Sequence, residues 1–163
     1  MNTKTLNGKR GIDVLRDPEL NKSTAFTDAE KQALGIVGLV PDVTETEDLQ
    51  LSRVQMQLGH KTTDLDRYIY LVSLLDHNEA LFYRTIMSDP ARFLPIVYDP
   101  TIGEACLKFG HIYRQTRGMY LSITRRGKVK EILTRLSDSL KRRSAIDHKS
   151  TAATSENILQ TSY

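Results

Sequence analysis

The feature that most constrains this chain is a series of helix starts punctuated by glycine and proline through its first hundred residues. Thr27-Asp28-Ala29-Glu30 has the form of a capping box, in which the Thr27 oxygen accepts from the Glu30 N–H, and Gly35 then ends a short helix in the left-handed conformation. A helix is expected near 28–35. Pro41 breaks the chain, and Thr44-Glu45-Thr46-Glu47 offers a second box opening a helix near 45–58, with Leu51, Val54 and Leu58 three and four apart before Gly59. Thr63 caps a third helix with Leu65, Tyr68, Ile69, Val72 and Leu75 as its buried stripe, and with Asp64 and Asp66 where the helix dipole favours acids. Asn78 restarts or continues that helix into Leu81, Phe82, Ile86 and Met87, and Asp89-Pro90 supplies a cap followed by proline at the first helical position.

Further along, Pro95 and Pro100 bracket a segment expected to be irregular and extended, containing Tyr98. Thr101-Ile102-Gly103-Glu104 is a third box, opening a helix whose narrow apolar face of Ile102, Ala105, Cys106, Phe109 and Ile112 places Cys106 in the core. After Gly118 the period changes. Residues 119–124 have the composition of a strand, and 128–136 return to helical spacing through Val129, Ile132, Leu133 and Leu136. A strand followed by a helix begins an α/β unit, but no parallel partner strand follows. The expected fold class is therefore mostly α: a flexible arm over 1–19, a helical domain over 20–118, the first strand-helix unit of a truncated α/β domain over 119–136, and a disordered tail over 137–163, rich in Ser, Thr, Lys and Asn.

With 163 residues, 39% hydrophobic and 26% charged, the chain can build one core. Its single cysteine forms no internal disulfide, which points to a reducing compartment, with the cytoplasm as the default. Lys4, Lys9, Arg10 and Arg16 outnumber the one acid, Asp13, in the first sixteen residues, so a transit segment and the mitochondrial matrix are the alternative. No stretch approaches the apolar length of a membrane span. Residues 114–143 hold ten basic side chains against Glu131 and Asp138. Such a patch suits an acidic partner or a phosphate backbone, but a solvated face is the preferred reading, since no nucleic-acid motif accompanies the charge.

Tyr98, Asp99, Glu104 and His111 are the titratable residues near the proline-bracketed segment, and residue type alone does not select an acid or base among them. His60, His77, His111 and His148 lack metal-ligand spacing, and Gly35 and Gly38 lack the strand and G-x-G turn of a dinucleotide fingerprint. Ser23, Ser52 and Ser73 stand outside any nucleophile-elbow context. Neither a metal nor a nucleotide site is expected on this chain.

Several runs, taken in order, resemble the start of the malic enzymes. They are residues 20–27, residues 34–41, Arg67-Tyr68-Ile69-Tyr70-Leu71, Asn78-Glu79-Ala80-Leu81-Phe82-Tyr83-Arg84, residues 95–103, and Arg117-Gly118-Met119-Tyr120-Leu121-Ser122-Ile123. The resemblance implies the helical amino-terminal domain of an enzyme that oxidises malate with NAD or NADP and Mg or Mn, then decarboxylates the product to pyruvate. It assigns to Tyr98 the acid that protonates the enolpyruvate carbon. The family has threonine next, where this chain has Asp99, a carboxylate that repels an anionic substrate. Gln50 and Arg53 match polar positions of an effector or subunit-contact region, and His77 stands where some animal members have arginine. Beyond Leu136 the family's lysine, metal-binding acids and Rossmann domain have no counterpart here. The expectation is an amino-terminal fragment inactive alone, binding no cofactor itself and associating with itself or with malic-enzyme subunits. A non-catalytic interaction module, or a small basic protein binding anions or nucleic acid, are the alternatives.

Overall fold

The computed structural model describes residues 8–115 and 119–144, with 138–144 defined by their helical backbone alone. The chain divides into two compact units, one of Gly8–Arg114 and the other holding the residues from Gln115 onward. Among the described residues there are helices and 3-10 turns but no strand.

The first unit carries α1 (Ile12–Leu15), a 3-10 turn at Ser23–Ala25, α2 (Asp28–Leu34), α3 (Glu47–Gly59), α4 (Asp64–His77), α5 (Glu79–Ser88), α6 (Pro90–Val97), α7 (Thr101–Leu107) and α8 (Phe109–Ile112). Each principal start has a local cause. The Thr27 hydroxyl accepts from the Glu30 N–H while the Glu30 carboxylate accepts from the Thr27 N–H, and Gly35 ends α2 at φ 68°, where a Cβ would be strained. Thr63, Asn78 and Asp89 each accept from the backbone N–H three residues on, so α4, α5 and α6 begin where the sequence predicts. Asn78 ends α4 and starts α5, and so bends the chain between them.

Helix α4 packs against α5, α6 and α7, and α3 lies on α5. Their common core is Val54, Leu58, Leu71, Leu81, Phe93 and Ile96. The segment before α3 is docked by other means. Val14, Phe26 and Ile36 are buried, the Gly11 N–H donates to the Leu34 carbonyl at 2.7 Å, and the Lys31 ammonium is buried where it donates to the Asp42 carbonyl at 2.6 Å. The expected flexible arm is thus fixed from Gly8 onward, because Val14 supplies apolar burial and Lys9 pairs with Asp17. Residues 1–7 of that arm lie outside the described residues.

Several expectations are corrected. Helix α3 starts at Glu47, capped by Thr46 through the Leu49 N–H, because the Thr44 hydroxyl is drawn to the Phe26 carbonyl at 2.9 Å. Pro95 lies inside α6 instead of opening an extended segment. Proline has no N–H to offer the Ala91 carbonyl one turn back, but Ala91 is exposed to solvent, and burial of Phe93 and Ile96 holds the helix. The third capping box does not form: Thr101 is the first residue of α7, buried, and its hydroxyl donates to the Pro95 carbonyl at 2.8 Å. That bond turns the Thr101 and Ala105 face inward, so Cys106, about 100° further round the helix, is exposed rather than in the core.

In the second unit, residues 119–124 form no strand. With no strand beside them among the described residues, their N–H and C=O groups have no ladder to join. Ile123–Arg125 close instead into a 3-10 turn, with Ser122 accepting from the Thr124 N–H at 3.3 Å. The expected helix after residue 128 is α9, Val129–Ser144, which continues past Leu136 into the segment expected to be a disordered tail. The rest of that tail lies outside the described residues.

Candidate functional site

Tyr98 sits where α6 meets α7. Its N–H donates to the Leu94 carbonyl and its carbonyl accepts from the Ile102 N–H, both at 2.8 Å, so its backbone is tied to both helices. The Asp99–Pro100 peptide bond that follows is cis. Tyr98 is 68% exposed. Among the described residues its hydroxyl has no hydrogen-bond partner in the protein. Of the other titratable candidates, Glu104 is engaged by Lys108 at 2.8 Å one turn along α7, while Asp99 and His111 are exposed. The geometry offers a presented phenol on a fixed backbone, beside surface carboxylates, and joins these four groups in no hydrogen-bonded relay.

Gln50, Arg53 and His77 converge on one short segment, residues 21–24. Gln50 on α3 is buried, and its Nε2 donates to the Lys22 carbonyl at 2.9 Å and to the Thr24 hydroxyl at 3.1 Å. Arg53, on the same helix, pairs with Glu45, which also accepts from the Thr24 hydroxyl. The Thr24 hydroxyl and then the Arg53 guanidinium hold the Glu45 carboxyl below its ordinary range. His77, at the end of α4, is exposed with Nδ1 2.7 Å from the Ser73 carbonyl, and its own carbonyl accepts from Asn21 Nδ2 at 3.0 Å. Arg53 also opposes the effect of burial, which raises the Tyr70 phenol above its usual value. The sequence reading named Gln50, Arg53 and His77 but missed Thr24 and Glu45, because no spacing rule joins a 3-10 turn to a helix face more than twenty residues away. Gln50 is occupied in holding that turn, whereas Arg53 and His77 keep exposed surface.

An open hollow of about 450 Å³ is lined by His60, Lys61, Asp66, Tyr70 and Arg114 among others, with the Lys61 ammonium 5.7 Å from the Tyr70 ring centre. None of the expected site residues lines it. Among the described residues no group of three His, Cys, Asp or Glu side chains could hold a metal ion. The described residues therefore do not fit a divalent-cation centre.

Residues 75–148 match the family model described as the malic enzyme N-terminal domain. The chain is 46% identical over 132 residues to an NADP-dependent malic enzyme of Anas platyrhynchos, covering 81% of this chain and 24% of the relative. It is 46% identical over 125 residues to a mitochondrial NADP-dependent malic enzyme of Mus musculus, covering 77% and 21%. A hydrogenosomal malic enzyme of Neocallimastix frontalis is 44% identical over 124 residues, covering 76% and 21%. The helical unit of Gly8–Arg114, with these matches, defines the class as a malic-enzyme amino-terminal domain. By that domain the chain belongs to the malic enzyme family, and it spans less than a quarter of the length of these curated relatives.

Proposed function

We propose that this chain serves as the amino-terminal part of a malic-enzyme-like oxidoreductase, one that converts malate to pyruvate by oxidative decarboxylation with NADP, and that it is catalytically silent alone. The observation that carries this reading is Tyr98: a phenol exposed to solvent on a backbone tied to two helices, at the family's tyrosine position. In this reading Tyr98 donates its proton to the enolpyruvate carbon. Asp99, next in the chain, disfavours an approaching anion, so a cation from elsewhere in an assembled enzyme must balance it. NADP is favoured over NAD by the printed names of the relatives, and both the nicotinamide and Mg or Mn would be held outside the described residues. The partners are malic-enzyme subunits or a second copy of this chain, with Arg53 and His77 at a contact or effector surface. The residence is the cytoplasm or the mitochondrial matrix. No helix among the described residues is long and apolar enough to cross a membrane.

The test is malate-dependent reduction of NADP by the purified chain with magnesium or manganese present. No turnover is expected, because general acid catalysis alone contributes about a hundred- to ten-thousandfold, far short of the oxidative step. Mixing with a malic enzyme lacking its tyrosine should restore pyruvate formation, and Tyr98→Phe in this chain should abolish the rescue. Turnover by the chain alone, or a rescue that survives Tyr98→Phe, would overturn the proposal.

A further inference from the structure

Helix α6 ends at Val97, so its last carbonyls have no partner along the helix and must be closed from outside it. The Leu94 carbonyl takes the Tyr98 N–H at 2.8 Å. The next carbonyl, that of Pro95, would take the Asp99 N–H if the helix ran on. It accepts instead from the Thr101 hydroxyl, six residues along, at 2.8 Å. Thr101 is the first residue of α7, so one hydroxyl joins the last turn of α6 to the first turn of the next helix.

The Thr101 side chain has little freedom to let go of that carbonyl. It is 3% exposed, on the same inward face as Ala105, and a β-branched side chain with its methyl packed has the direction of its hydroxyl fixed as well. Tyr98 lies inside the loop that this bond closes. Its N–H is tied back to α6, and its carbonyl accepts from the N–H of Ile102, the residue directly after Thr101, at 2.8 Å. Among the described residues the Tyr98 hydroxyl has no partner, so the place of the phenol is set by the backbone that carries it.

We propose that Thr101 is a positioning residue: its hydroxyl, held on the Pro95 carbonyl, fixes the loop between α6 and α7 and so sets the place from which Tyr98 delivers its proton. The inference rests on the reading of Tyr98 as the acid. Thr101 is too deeply buried to touch a substrate and acts through Tyr98. A displacement of about 1 Å at a reacting group can cost about a hundredfold in rate, whereas the two helices are held by burial of Phe93, Ile96 and Ala105.

The test compares Thr101→Val, which keeps the branched shape and removes the hydroxyl, with Thr101→Ser, which keeps the hydroxyl, in the whole 163-residue chain. Amide hydrogen exchange reads the loop without any catalysis. Thr101→Val should speed exchange at Tyr98 and Ile102 by about tenfold and leave the Leu49 N–H, capped by Thr46 on α3, within about twofold of its original rate. Thr101→Ser should stay within about threefold at all three. The second arm is rescue of a malic enzyme lacking its tyrosine, read as pyruvate formation. There Thr101→Val should lower kcat by at least about tenfold with KM for malate within about twofold, and Thr101→Ser should recover most of the loss. No rescue by the unsubstituted chain, or rescue that survives Tyr98→Phe, would overturn the reading of Tyr98 and this proposal with it. Unchanged exchange at Tyr98 and Ile102, equal acceleration at Leu49, Thr101→Ser matching Thr101→Val, or undiminished kcat with Thr101→Val would overturn the proposal while that reading stands.

Discussion

Leu71 on α4 is completely buried between α3, α5 and α6, with Val54, Leu58, Leu81, Phe93 and Ile96 around it, whereas its neighbour Val72 is only half-buried. Periodicity alone favours Val72, which belongs to the stripe of Leu65, Tyr68, Ile69 and Leu75. The substitution Leu71→Ala removes about three methyl or methylene groups, worth about 2.4 kcal/mol in transfer energy, and leaves a void on which helices from three directions cannot fully close. A total loss of about 3 to 4 kcal/mol is expected, against about 1 kcal/mol for Val72→Ala. In a unit of this size the first corresponds to a fall of about 15 °C in the thermal midpoint. Urea unfolding followed by circular dichroism measures both, the loss appearing as a lower midpoint at unchanged slope. If the two substitutions cost the same, or Val72→Ala costs more, the packing of α4 described here is wrong.

Three further outcomes follow from named contacts. Asn78→Ala should cost about 1 to 2 kcal/mol by equilibrium unfolding, since it removes the buried acceptor for the Leu81 N–H at the start of α5. Burial by itself would raise the Glu30 carboxyl, but hydrogen bonds from Lys22 and Thr27 outweigh it and hold the group below 4.5. Its folded value is therefore the depressed one, so its stabilisation is present above about 4.5 and is lost as pH falls through the lower folded value; Glu30→Gln should flatten the decline in thermal midpoint in that range. Cys106 should react with a thiol reagent in the native protein at close to the rate of the unfolded chain, and protection of more than about a hundredfold would contradict its exposure.

What the sequence by itself determined was the local punctuation of the helical unit. Thr27 with Glu30, Gly35, Thr63, Asn78 and Asp89-Pro90 act over three or four residues, on backbone groups any helix must leave unpaired, so their outcome does not depend on the rest of the fold. The order of motifs that marks a malic-enzyme amino-terminal domain was also legible. Tertiary structure decided wherever a side chain had two possible partners. Thr44 and Thr101 had caps available, but the Phe26 and Pro95 carbonyls lay within reach and took their hydroxyls. Pro95 stayed helical because Phe93 and Ile96 had a core to enter, and residues 119–124 formed no strand because no strand among the described residues lies beside them to complete a ladder. The gathering of Gln50, Arg53 and His77 around residues 21–24 was decided in the same way: hydrogen bonds between segments distant in sequence exist only after the helices have packed, and no local pattern encodes which turn a helix face will meet.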